Sequence, residues 1–210
     1  MAKRRPAALK GIDFDLPLYD AFWGLDDEIR QRFPGEKFQP AGVCAMGISF
    51  SRRHSLSQGG YWCTPLNTLA FAWTGGDGEH YSFLVQRRRV DRHSPIVLTA
   101  PSSDSLNLIV APDFETFLRA GLSRAFFGLS QFAYAPRKTL EVYGGSGWTA
   151  SSKSDESVGY VPDDRQLDIM RFVASKLGLQ PFWYTPDRYT EYQAALNLLE
   201  MSQEYETEME

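Results

Sequence analysis

The sequence predicts an α+β fold: an antiparallel sheet covered by helices, with a helical C-terminal extension of the same domain. Three observations lead there. Four short β-patterned runs follow one another between residues 68 and 110. A strong apolar helical stripe begins directly after them, at Phe114. Two more helical stripes close the chain between about residues 160 and 199.

In chain order, Leu18 to Phe33 reads as one amphipathic helix. Phe22, Leu25, Ile29 and Phe33 fall at i, i+3, i+7 and i+11, and Pro34-Gly35 stops it. Val43 to Phe50 is an apolar run with strand character, and Ser51 to Gly60 is a polar loop. Thr68 to Trp73 alternates, which puts Leu69, Phe71 and Trp73 on one face. Tyr81, Phe83 and Val85 alternate in the same way. Thr74-Gly75-Gly76-Asp77-Gly78-Glu79 lies between these runs and has the composition of a turn joining antiparallel strands. Pro95 to Leu98 and Leu106 to Val110 supply two further strands, so the four form a meander.

Neither face of such a sheet buries itself alone. The next segment supplies a cover. Pro112 suits a first helical position, Asp113 and Glu115 suit the first turn, and Phe114, Phe117, Leu118, Leu122, Ala125 and Leu129 mark an apolar face. Residues 1–142 are read as the core, 143–159 as a flexible Gly/Ser loop, and 160–210 as the extension, packed on the core or on a second copy. In the extension one helix runs from about Asp164 to Leu177 with Gly178 as its stop. Another starts at a Thr185 cap and carries Tyr189, Tyr192, Leu196 and Leu199.

Composition narrows the function classes. The formal charge is −4, but the first ten residues carry +4, the last eleven carry −5, and the body carries −3. A body this weakly charged offers no field for a polyanion, so nucleic acid is not an expected partner. Both ends read as frayed and solvated. No apolar signal core follows the basic N-terminus and no run approaches 18 apolar residues, so neither a secretory leader nor a membrane span is expected. The two cysteines, Cys44 and Cys63, form no disulfide framework and sit in apolar settings. A cytoplasmic location follows from these features.

Catalytic motifs are sparse. The three histidines are His54, His80 and His93, with no Gly-x-Ser-x-Gly or His-Glu-x-x-His pattern, and neither cysteine has a histidine at ligand spacing. No metal and no cofactor are expected, and no catalytic residue is assigned. The glycines of 75–78 precede a strand and lack a following Lys-Ser or Lys-Thr, so they do not make a phosphate loop. Asp77, Glu79 and His80 could together do acid–base work, although turn geometry accounts for all of Asp77-Gly78-Glu79-His80 except the imidazole. Arg87-Arg88-Arg89 would place Arg87 and Arg89 on one face if the strand continued, either to engage an acidic group or to guard a sheet edge. Tyr61, Trp62, Trp148 and Trp183 are rings outside any stripe, a pattern shared by recognition surfaces and loop packing.

The run from Asn67 to Leu84, with a Gly-Asp-Gly turn between two aromatic strands, resembles the hairpin of the SUKH superfamily. Pro95 to Leu98, then Leu108 to Ala111 leading into Asp113-Phe114-Glu115-Thr116-Phe117-Leu118, resembles the strand and Phe-Glu-x-Phe-Leu helix that end the same motif. The likeness covers about residues 67–122. The N-terminal third and the C-terminal extension depart from the pattern. The resemblance implies a bacterial α+β binding domain, many members of which are immunity proteins that neutralise toxins by binding them.

Three function readings result. One is a non-catalytic protein-binding module, with a toxin domain as partner. A second is a small-molecule-binding or hydrolytic protein using Asp77, Glu79 and His80. The third is a self-associating protein, a homodimer through the C-terminal helices.

Overall fold

The computed structural model describes residues 11–35, 46–144 and 162–208. Its strands are β1 (Asp13–Asp15), β2 (Ser49–Phe50), β3 (Thr68–Trp73), β4 (His80–Leu84), β5 (Arg89–Asp91), β6 (Ile96–Thr99) and β7 (Asn107–Ala111). Its helices are α1 (Pro17–Gly24), α2 (Asp26–Arg32), α3 (Phe114–Arg124), α4 (Pro136–Tyr143), α5 (Asp164–Lys176), α6 (Pro186–Gln193) and α7 (Gln203–Glu208). The main sheet has the order β2-β3-β4-β6-β7 with every neighbour antiparallel, so the predicted α+β meander is present. Between β4 and β6 the chain makes an excursion, and there β5 pairs in parallel with β1.

The inner face of the sheet is aromatic. Phe71 stacks on Phe83 at 4.3 Å, and Phe114 and Phe117 of α3 meet Phe71 edge-on at 5.7 and 5.3 Å. Tyr19 of α1 reaches the same cluster. The phenols entering this core are satisfied by backbone carbonyls, as buried hydroxyls must be. Tyr19 donates to Ser51, Tyr81 to Phe126, Tyr143 to Ala125 and Tyr184 to Val110. Each tie joins segments distant in sequence, so these rings fix topology as well as filling volume.

The outer face is covered by the chain's own C-terminus. Leu84, Val97 and Ile109 are buried under Tyr192, Ala195, Leu196 and Leu199. Tyr189 stacks on Phe132 at 4.9 Å, and Tyr192 meets Tyr184 edge-on. The stripe offered by the sequence as a dimer surface is thus used within the chain. The acidic end read as frayed is attached as far as Tyr205: Tyr205 of α7 stacks on Trp62 at 5.9 Å, and Ser202 donates to the Trp62 carbonyl.

Several local expectations are corrected. The single helix over residues 18–33 is two, α1 and α2, meeting at Leu25. Gly24 weakens a continuous helix by about 1 kcal/mol, and the break lets the buried Asp26 carboxylate accept from both Arg30 and Arg52 at 2.6 Å. Of the Val43–Phe50 run only Ser49–Phe50 is a strand, and residues 43–45 lie outside the described residues. The polar 51–60 loop holds a 3-10 turn at Arg53–Ser55 and a bridge from Ser57 to Ala70. Pro112 precedes α3 rather than opening it. Asp113 is the cap, its carboxylate accepting from the Thr116 amide at 2.7 Å, and Leu129 falls in a following 3-10 helix at Phe127–Ala133. The Gly/Ser loop and Trp148 lie almost wholly or wholly outside the described residues.

Candidate interaction site

The β3–β4 hairpin ends in a turn whose backbone requires special residues. Gly75 and Gly78 have φ of +86° and +79°, and Asp77 has φ of +42°, a region that glycine adopts freely and Asp tolerates. The turn is closed by the Glu79 amide on the Gly76 carbonyl at 3.1 Å. Just before it a bulge at Phe71 shifts the register, so that Ala72 opposes Tyr81 and Trp73 opposes His80. Trp73 therefore leaves the Leu69/Phe71 face on which simple alternation placed it, because one extra residue inverts the side-chain phase.

Beyond the turn, alternation separates the two titratable neighbours. Glu79 is buried beside Tyr134, close enough for its carboxylate to raise the phenol. His80 lies on the outer side, fully buried. Its Nδ1 is 2.8 Å from the Gly78 carbonyl and its Nε2 3.3 Å from Thr64 Oγ1. The carbonyl only accepts, so Nδ1 carries the hydrogen and the Thr64 hydroxyl donates to Nε2. Burial lowers the His80 pKa, with the Gly78 hydrogen bond partly opposing it. Gly59 packs directly on the imidazole, where a methyl would collide with Nε2, and the Tyr61 ring stacks over it at 6.0 Å. Asp77 stands exposed at the tip. Of the three residues grouped by sequence, Asp77 and Glu79 both act on the Tyr134 phenol, while the His80 imidazole is buried against Thr64 and Gly78 and does not join them.

What the turn does assemble is a surface. Tyr61 is 45 % exposed on one side of the tip and Tyr134 is 43 % exposed on the other, with Asp77 and the glycine backbone between them. Partial burial and the nearby Glu79 carboxylate raise the Tyr134 phenol above its ordinary range, so it stays a hydrogen-bond donor at neutral pH. Gly78 is demanded by its φ and by the Tyr61 ring lying against it. Gly76 is not: its φ is ordinary and the space around it is open. Sequence reasoning missed Tyr134, which reaches the tip only because the 3-10 helix after α3 runs back along the sheet. Its one local signal is a large ring two residues before Pro136, outside the apolar stripe.

The other sequence candidates lie elsewhere. Trp62 is half-buried under Tyr205. Trp183 is 41 % exposed, but its neighbours Phe182 and Tyr184 are core residues. Arg119 and Arg188 each stand 5.6 Å from the Phe182 ring. Arg87 and Arg89 are at the opposite end of β4 from Tyr61, and the strand does not continue through them. Arg87 and Arg88 have φ of +50° and +60° and form a tight turn closed by the Gln86–Arg89 bridge. Arg87 and Arg89 therefore do not share a strand face.

Among the described residues, no cluster of three or more His, Cys, Asp and Glu side chains is placed to hold a metal ion. Cys63 is buried with a free thiol, and burial raises its pKa. Among the same residues no helix is long and apolar enough to cross a membrane. Neither family models nor curated proteins give a match to this chain.

Proposed function

We propose that this chain is a non-catalytic protein-binding module that docks its partner with the β3–β4 hairpin end. One observation carries this reading: two exposed tyrosines, Tyr61 and Tyr134, flank an open glycine turn that a partner backbone can approach closely. Tyrosine presents a large, stiff contact surface at low entropic cost, and glycine leaves backbone donors and acceptors uncovered. The likeness of residues 67–122 to SUKH domains makes a toxin domain the leading partner class, neutralised by occlusion of its site. The buried, fully bonded His80 supports a structural role for the residue best suited to acid–base work.

Gly76→Arg tests the reading without disturbing the fold, since the added side chain enters open space. Tagged wild-type and variant protein would be used for affinity capture from native lysate, with mass spectrometry of what is retained. A stoichiometric partner held by wild type and lost in Gly76→Arg, at unchanged melting temperature, is the expected result. A partner retained equally by both proteins would place the interface elsewhere, and no retained partner would remove the reading.

A further inference from the structure

At the far end of β4 the chain builds a second feature, independent of the hairpin tip. Gln86, Arg87, Arg89, Asp91, His93 and Ser94 line a half-open cleft of about 470 Å³. Its rim is the Gln86–Arg89 turn, in which two successive arginines occupy left-handed backbone. Asn-Gly would adopt this turn with less strain, since left-handed backbone is open to glycine and tolerated by asparagine but disfavoured for arginine. The backbone shape itself has a structural use, because the Arg88 carbonyl accepts from the Asp13 amide at 2.9 Å and so begins the β1–β5 pairing. That use explains the conformation and not the choice of arginine, and a strained residue of unexplained identity is the kind of outlier that marks binding sites.

The charges are arranged unequally. Arg89 is held by three carboxylates: Asp15 at 2.8 Å on Nη2, with Asp91 at 3.3 Å and Asp13 at 3.7 Å on Nε. None of these ion pairs uses its Nη1. Arg92 Nε donates to His93 Nε2 at 3.0 Å. Arg87 is exposed, and among the described residues its guanidinium has no ion pair or hydrogen bond. Among the residues that line the cleft, Arg87 and Arg89 stand against Asp91, which leaves one net positive charge. One charge suits a monoanion, while a phosphate dianion would meet three nearby aspartates.

We infer that the cleft is a binding subsite for a single carboxylate group, received by the Arg87 guanidinium beside an Arg89 fixed in place by its aspartates. Planar guanidinium forks match the two oxygens of a carboxylate, and a prearranged fork loses little freedom on binding. Gln86 and Ser94 can complete the site with neutral hydrogen bonds.

The test follows the arginine Nε–Hε resonances of ¹⁵N-labelled protein during titration with acetate, a capped glutamyl dipeptide, or inorganic phosphate, at ionic strength held constant with chloride. Saturable shifts with the carboxylates, at affinities on the order of millimolar, are expected. Tighter binding of the dipeptide assigns the carboxylate to a protein side chain, and equal binding assigns it to a small free acid. Arg87→Asn removes the guanidinium and relieves the backbone. It should abolish the shifts while raising the melting temperature by roughly 2–4 °C. The proposal is overturned by tighter binding of phosphate, by shifts no larger than those with chloride, by shifts that persist in Arg87→Asn, or by a lower melting temperature in that variant.

Discussion

Gln193 pairs with Ile109 as a neighbouring strand would. Its Nε2 donates to the Ile109 carbonyl at 2.8 Å and its Oε1 accepts from the Ile109 amide at 3.1 Å. Ile109 lies on β7, the last strand of the sheet, so one side-chain amide occupies both hydrogen-bonding groups that the edge exposes there. An unpaired edge invites pairing with another chain, and here α6 both covers the outer face and blocks the edge. Gln193→Ala is expected to cost about 1–2 kcal/mol. Urea denaturation would give the loss, and amide exchange at Ile109 should accelerate selectively.

The legible and illegible parts of this fold divide on physical grounds. Periodicity reported β3, β4, β6, β7, α3, α5 and α6, because each carries its own apolar pattern over several consecutive residues. The β1–β5 pairing was invisible: three residues of Asp-Phe-Asp carry too little pattern, and their partner lies far along the chain. The Phe71 bulge was also hidden, since alternation reads the same with or without an extra residue, and it misplaced Trp73. At the candidate site Tyr61 was readable as a ring outside any stripe. Tyr134 was not, because its place beside Glu79 depends on how the segment after α3 turns back.

Asn67 is the point to which the C-terminal cover is fastened. Its Nδ2 donates to the Leu198 carbonyl at 2.8 Å, its Oδ1 accepts from the Glu200 amide at 2.9 Å, and the adjacent Leu66 amide reaches the Glu200 carbonyl at 2.7 Å. The residue is only 9 % exposed, so Asn67→Ala strands a carbonyl and an amide in a site with little water. A loss of about 2 kcal/mol is expected, with earlier proteolysis or exchange in residues 198–205 than in α5. Equal protection of both segments would mean that apolar contacts alone hold the cover.

Gly76 and Gly78 stand two residues apart and should respond unequally to alanine. At Gly78 a methyl meets a left-handed backbone and the Tyr61 ring together. A cost of about 2–3 kcal/mol is expected, adding backbone strain to displaced packing. At Gly76 neither obstacle exists, and the change should stay within about 0.5 kcal/mol. Chemical denaturation of the two variants decides between this assignment and one in which the turn tolerates any residue.

The buried imidazole gives the chain a defined acid sensitivity. Because burial holds the His80 pKa below its ordinary 6.5, the unfolded chain takes up a proton more readily than the folded one between those values. Stability supplied by the neutral ring is complete above about pH 6.5 and is lost progressively as pH falls through the folded-state value. Comparison with His80→Gln, which retains every other titrating group, isolates the contribution of His80 between pH 7 and pH 5. Among the described residues its nitrogens are held by the neutral Thr64 hydroxyl and Gly78 carbonyl, and Gly59 and Tyr61 lie against the ring. Urea midpoints of wild type should fall across this interval, while those of His80→Gln should stay nearly level. Parallel curves for the two proteins would mean that the imidazole takes up a proton as readily in the fold as in the unfolded chain, and would return His80 to the list of groups available for chemistry.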